Sequence, residues 1–171
     1  DNVGDVAGMG ADLFGSYVAT VLAAMVLGNY VVKDMLDAGT ELVSFNGMGP
    51  ILLPLVIAGV GVLASIIGTL FVRIKSNDAK ESQVQKALDT GNWAAILLTL
   101  VASWFLIDWM LEDTINMTFF GEGVVAVPSI NVFFAACIGL AVGALISMVT
   151  AYYTSLGKKP VMDIVQNSST G

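Results

Sequence analysis

Three aspartates open this chain at a spacing that could hold a cation. In the first stretch, DNVGDVAGMGADLFGSY, Asp1, Asp5 and Asp12 are separated by four and seven residues. A helix turns about 100° per residue, so all three carboxylates would lie within about 40° of one face. Like charges in such a row repel unless a cation or a basic group lies between them. The pattern indicates a line of oxygen ligands along one helix.

The composition limits which cation could bind there. The chain has no histidine, and its single cysteine, Cys137, lies in an apolar run. A metal would therefore be held by oxygen ligands alone, which favours Mg²⁺ or Ca²⁺ over zinc. Hard carboxylate ligands close to a bilayer would suit Mg²⁺ bound together with a phosphate substrate. The net charge of −7 argues against nucleic acid as a partner.

Four glycines accompany the aspartates. Gly4, Gly8 and Gly15 repeat the same interval on a stripe about 60° away, and Gly10 lies between them. Small residues at this spacing let another helix or a ligand approach the backbone. A plainer interpretation is that the glycines pack helices and the aspartates cap a helix N-terminus. Asp12 lies too far along the helix to be a cap, so a cation site remains an equal alternative.

The rest of the chain is suited to a lipid bilayer. Hydrophobic residues make up 56% of it, charged residues 12%, and the mean hydropathy is +0.82. A helix needs about 20 apolar residues to cross a membrane. Four stretches approach that length, which predicts an all-α membrane protein with four transmembrane helices in an antiparallel bundle. We expect the chain, 1–171, to be one transmembrane segment of a larger protein. The predicted helices are at about 2–32, 49–72, 93–111 and 130–154.

Basic residues predict the orientation, because Lys and Arg accumulate in cytoplasmic loops. They cluster in the connection 73–92 and in the tail 155–171, which are therefore predicted to be cytoplasmic. The connections 33–48 and 112–129 are rich in carboxylates and are predicted to be outer loops. Asp1 would then lie on the cytoplasmic side. Within 73–92, the segment SNDAKESQVQKALDTGN is predicted to form a short interfacial helix.

The opening stretch resembles a known family. DNVGDVAGMGADLFGSY is similar to the signature of the membrane-bound, ion-translocating inorganic pyrophosphatases, where it opens an inner-ring helix. The closing stretch, AYYTSLGKKPVMDIVQNSSTG, resembles that family's passage from one helix to the next. The four predicted spans would correspond to its sixth to ninth helices of sixteen. The resemblance implies hydrolysis of pyrophosphate coupled to ion pumping, in a homodimer that uses Mg²⁺ and in some members K⁺.

The resemblance also implies roles for the aspartates. Asp1 would be a carboxylate of the Mg²⁺-pyrophosphate site. Asp5 would help to hold that site and to activate the attacking water as a catalytic residue. Asp12 would belong to the ion gate below it. The remaining charged groups would come from the rest of the same polypeptide.

Departures from the family pattern bear on the transported ion. Many members carry a glutamate three or seven residues after the gate aspartate, where this chain has Gly15 and Ala19. No carboxylate lies between Leu13 and Val32, so an acid that binds the transported ion would come from elsewhere. Some proton-pumping members that this chain resembles supply it from the preceding helix, and the resemblance therefore favours H⁺ over Na⁺. The closing motif has Ala151 where the family often has glutamate.

Three alternatives to a proton-pumping pyrophosphatase stay open at this point. One is a sodium-pumping pyrophosphatase. Another is a non-hydrolytic cation transporter or channel that uses the aspartates as an ion path. The last is a structural four-helix module whose aspartates are caps and whose glycines only pack.

Overall fold

The fold, seen in a computed structural model, is predominantly helical. The structure describes residues 2–40, 44–73, 81–118, 123–155 and 157–169. Among these residues, four helices are long and apolar enough to cross a membrane. This confirms the prediction of a helical membrane fold with four spans. The helices are α1 (Asn2–Asp37), α2 (Gly49–Thr69), α3 (Glu81–Met110), α4 (Ile130–Thr154) and α5 (Lys159–Ser168), and the strands are β1 (Thr114–Met117) and β2 (Val125–Pro128).

The chain divides into two compact units, Asp1–Phe133 and Phe134–Gly171. The boundary falls within α4, whose first four residues belong to the first unit. The helix α4 contributes no fully buried residue. Val132 and Phe133, at the start of α4, pack against the hydrophobic core of the first unit. The second unit holds the rest of α4 together with α5.

In the first unit, α1, α2 and α3 run antiparallel to their neighbours. The hydroxyl of Tyr17 donates to the carbonyl oxygen of Ala58 at 2.7 Å, whereas Gly28, farther along α1, lies against Pro50 near the start of α2. Gly68, near the end of α2, faces Gly91 near the start of α3. One end of this unit therefore gathers the end of α1, the start of α2 and the end of α3.

Close helix contacts depend on glycines of α2. A Cβ on Gly68 would lie 2.7 Å from the carbonyl oxygen of Gly91, and one on Gly49 would overlap the carbonyl oxygen of Met110. Small residues let helix backbones approach in lipid, where van der Waals contact replaces the hydrophobic drive of water. Glycines outside the opening motif therefore make the helix contacts within this chain.

The buried core lies at the end of the unit that carries β1 and β2, here called the hairpin end. Met110 is 1% exposed and Met35 is 3% exposed. The buried cluster joins side chains from α1, α2, α3 and β1. Its members are Met35, Leu53, Ile107, Met110, Leu111 and Ile115.

The connections predicted as outer loops contain regular structure. In 112–129, β1 and β2 pair antiparallel, with Thr114 opposite Pro128 and Met117 opposite Val125. Isoleucine and valine favour such a pleated arrangement. In 33–48, α1 continues to Asp37 and ends before Gly39, whose φ of +76° is a left-handed conformation that glycine tolerates.

The connections predicted as cytoplasmic contain helix in the structure. The predicted interfacial helix is not separate, because 81–92 forms the first turns of α3. Glu, Gln, Lys, Ala and Leu favour a helix, and Gln85 donates to Asp89 one turn later at 3.0 Å. In the tail 155–171, α5 has Pro160 in its first turn. Proline is favourable there because the N–H that it lacks would have no acceptor within the helix.

Candidate functional site

The opening motif lies on the longest helix. The helix α1 has 36 residues, about 54 Å at 1.5 Å per residue, and exceeds the roughly 30 Å of a hydrocarbon core. It contains no proline, and its glycines are offset by the Ala, Leu and Met residues between them. The motif therefore continues directly into a membrane-spanning helix rather than forming a loop before it.

Two of the three predicted site residues lie within the described part of α1. Asp5 and Asp12 are both exposed, and seven residues of continuous helix place them within about 20° of each other and about 10 Å apart along the axis. Asp1 lies outside the described residues. Within the part of the chain that the structure describes, neither Asp5 nor Asp12 has an ion pair or a side-chain hydrogen bond.

The carboxylates face away from the rest of the first unit. Tyr17 and Gly28 contact α2, and Met35 lies in the core. At about 100° per residue, these three positions lie about 140° to 160° around α1 from Asp12. The acidic face, defined here by Asp5 and Asp12, is therefore nearly opposite the face of α1 that packs.

The glycine stripe is open as well. A Cβ placed on Gly4, Gly8, Gly10 or Gly15 would meet nothing within 4 Å. The large apolar residues between them are also exposed, including Phe14 at 68%. Within the described residues of the first unit, the motif glycines therefore make no helix contact.

The exposed carboxylates of Asp5 and Asp12 do not form a complete metal site by themselves. Across the described ranges, no group of three Asp, Glu, Cys or His residues could surround one ion. Asp5 and Asp12 are two helical turns apart, too far to share a metal. The donor chemistry still fits, since a free carboxylate on an open face is a hard oxygen ligand. Each aspartate can supply one ligand to a site completed by other groups.

Asp34 is a carboxylate that the sequence analysis did not single out. It lies in the last turn of α1, and both of its oxygens accept hydrogen bonds from Thr118, which follows β1. The sequence contains one local signal for a partner of Asp34: the last turn of α1 holds acidic residues and no basic residue to balance them. Its partner is 84 residues away, which no local pattern indicates.

These features define a segment of a multi-span membrane protein in which one long helix presents carboxylates on a free face. The chain belongs to the inorganic H⁺ pyrophosphatase family, whose family model matches residues 1–171. This confirms the family resemblance that the opening and closing motifs indicate.

Several curated relatives match over the whole chain. It is 38% identical to a putative K⁺-stimulated pyrophosphate-energized sodium pump of Clostridium tetani. It is 33% and 34% identical to K⁺-insensitive pyrophosphate-energized proton pumps of Methanosarcina mazei and Caldanaerobacter subterraneus subsp. tengcongensis. The chain spans 21% of the length of each of these relatives. No solved structure gives a significant match.

Proposed function

We propose that the full-length protein is a membrane-integral inorganic pyrophosphatase that couples Mg²⁺-dependent hydrolysis of pyrophosphate to ion pumping. The observation that supports this most directly is the free acidic face of α1. The family motif lies on a continuous helix, with Asp5 and Asp12 exposed and turned away from α2. Groups from the rest of the polypeptide can then complete a site against that face.

In this proposal, Asp1 and Asp5 belong to the hydrolytic site. Bound Mg²⁺ would neutralise charge on the diphosphate and polarise its phosphoryl oxygens. Asp5 accepts a proton from the water that attacks phosphorus, which requires it to be ionised and unpaired before substrate binds. Its exposed carboxylate, with no ion pair among the described residues, suits that role.

Asp12 forms part of the ion gate. It lies two turns farther along α1 than Asp5, at the start of the apolar run. A proton released at Asp5, or a small movement of α1 there, changes the electrostatic environment of Asp12 on the same face. Coulomb interactions over about 10 Å are strong enough for this coupling only where water is largely excluded.

The transported ion is proposed to be H⁺. No carboxylate follows Asp12 until Asp34, so α1 lacks a second acid near the gate that could help to bind Na⁺. By their names, the relatives include both proton pumps and a putative sodium pump. We further propose that Asp1 faces the cytoplasm, that the protein is a homodimer in the lipid bilayer, and that K⁺ can modulate it.

The proposal is tested with the full-length protein reconstituted in vesicles. We expect Mg²⁺-dependent release of phosphate from pyrophosphate together with ion uptake. Replacing Asp5 by Asn should lower the hydrolysis rate by roughly 10²- to 10⁴-fold, because a general base is lost. Asp113→Asn, at an exposed acid outside the motif, is the matched control.

Two results would contradict the proposal in different ways. A wild-type protein that moves cations but releases no phosphate would be a non-hydrolytic transporter or channel. Full hydrolysis by the Asp5→Asn variant would remove Asp5 from the catalytic site while leaving the activity itself in place.

A further inference from the structure

Thr118 attaches the segment after β1 to the end of α1. Its backbone N–H donates to one carboxylate oxygen of Asp34 at 2.8 Å, and its hydroxyl donates to the other oxygen. Both residues are partly buried. Hydrogen bonds to an ionised acceptor are about twice as strong as neutral ones, and burial strengthens them further.

The position of Asp34 is unfavourable for the helix alone. The last turn of a helix carries a partial negative charge, so a carboxylate there is repelled unless it is compensated. The last turn of α1 contains no basic residue, and Asp37 adds a second negative charge. The two donors of Thr118 contribute to this compensation. Such a conflict between local preference and observed structure is typical of functional or specifically constrained positions.

Neighbouring contacts attach the same two elements. The hydroxyl of Thr40, just beyond α1, donates to the carbonyl oxygen of Asn116 in β1 at 3.4 Å. Met35, next to Asp34, is buried in the cluster that includes Ile115. We call the Asp34–Thr118 and Thr40–Asn116 contacts the α1 clasp. One side of α1 is thus bonded to β1 while the adjacent side is packed into the core.

We propose that Asp34 is a positioning residue that sets the rotation and height of α1, and with them the placement of Asp5 and Asp12. Because α1 is one continuous α-helix of 36 residues, a rotation imposed at its last turn is transmitted along its length. The proposal has two parts. The first, that correct placement of Asp5 and Asp12 is needed for ion coupling, rests on the function proposed above. The second, that the clasp holds α1 to β1, does not depend on that function.

Whether the clasp holds α1 in place is tested by measuring the distance between α1 and β2 in the full-length protein. Spin labels at Leu36 and Val125, two exposed sites, report this distance once native cysteines are replaced. Asp34→Ala removes both hydrogen bonds and should shift the ratio of clasped to open forms by about tenfold or more toward the open form. The distance distribution should broaden accordingly.

Two variants separate hydrogen bonding from charge. Asp34→Asn removes the charge, but its amide oxygen can accept from the Thr118 N–H and its amide N–H can donate to the hydroxyl. It should keep the narrow distribution. Asp37→Ala removes a charge from the same turn, and Asp37 has no side-chain hydrogen bond in the described structure. It should behave as the wild type.

The functional part is tested by the number of ions moved per pyrophosphate hydrolysed. Asp34→Ala should lower this ratio, whereas Asp34→Asn should keep the wild-type ratio. Thr118→Val, which removes only the hydroxyl, should have an intermediate effect, and it replaces Asp34→Ala if that variant does not accumulate.

Each result has a defined consequence. An unchanged distance distribution in Asp34→Ala, or in Thr118→Val where Asp34→Ala does not accumulate, overturns the clasp. A broadened distribution with an unchanged ratio overturns the positioning role. If the wild-type protein hydrolyses no pyrophosphate, the proposed function fails, whereas the distance measurement still decides whether Asp34 holds α1 to the hairpin.

Discussion

The acidic face of α1 consists of side chains that the described chain leaves unneutralised. Asp5 and Asp12 share a helical face, and Asp34 lies about 40° from Asp12 on the same helix. Their surroundings differ, because Asp34 is bound by Thr118 whereas the other two are exposed. A carboxylate without a partner in its own segment is available to metal ions, substrate or basic side chains from elsewhere.

At this scale, the proposed role of Asp12 in the ion gate gives a direct prediction. Replacing Asp12 by Ala should abolish ion uptake by vesicles that contain the full-length protein, because the charge at the gate is lost. Asp12→Asn, which keeps the shape of the side chain, should have the same effect. Uptake is followed during pyrophosphate hydrolysis, and Asp113→Asn is the control. Unchanged transport in both Asp12 variants would remove Asp12 from the gate.

At the scale of elements, α1 and α2 touch at separated points. Tyr17 hydrogen-bonds to Ala58, and farther along Gly28 meets Pro50. Because Pro54 has no N–H, it cannot donate the usual helical hydrogen bond to the carbonyl oxygen of Pro50 one turn earlier. That carbonyl oxygen lies against Gly28 of α1. Between the two contacts lies an apolar groove of about 220 Å³. The tight contact at Gly28 is therefore a main determinant of how α1 sits on α2.

We expect Gly28→Ala to destabilise the protein. A Cβ there would overlap the Pro50 carbonyl, and such overpacking costs about 1–3 kcal/mol of unfolding free energy. Gly59→Ala is the matched control, since a Cβ on Gly59 meets nothing within 4 Å and alanine favours a helix by up to about 1 kcal/mol. Thermal unfolding in detergent compares the two variants. Equal midpoints would show that the Gly28 contact does not limit stability.

At the scale of the whole molecule, this chain is about a fifth of its relatives. Residues 3–20 of α1 are exposed throughout, including Leu13 at 70% and Phe14 at 68%. In water such a surface would be unfavourable, whereas in the full-length protein it can contact lipid or other helices. In the proposed function, the acidic residues on this surface would act together with groups from the rest of the polypeptide.

The identity of the ion is a property of the full-length protein. Because α1 has no carboxylate between Asp12 and Asp34, we expect pumping of H⁺ without any requirement for Na⁺. Vesicles energised with pyrophosphate in sodium-free medium should acidify, as followed by a pH-sensitive dye. Sodium uptake whose rate depends on Na⁺ concentration would instead establish a sodium pump.

Local patterns in the sequence were sufficient to predict the four spans, the family and the shared helical face of Asp5 and Asp12. Hydropathy over about 20 residues and a period of 3.6 are properties of short stretches, so they are readable without knowledge of the fold. The same local reasoning placed connections between the spans at 33–48, 73–92 and 112–129. It did not indicate that α1 continues to Asp37, that α3 begins at Glu81 or that β1 pairs with β2, because helix extension and strand pairing depend on contacts outside each stretch.

Tertiary structure alone decided which face of α1 packs and what holds its end. Tyr17 and Ala58 are 41 residues apart, and Asp34 and Thr118 are 84 residues apart. Neither pairing follows from the residues that surround each partner, since a hydrogen bond between distant segments forms only after helix packing brings donor and acceptor together. The sequence determined which side chains share a face of α1, and the packing of α2 and β1 determined which way that face points.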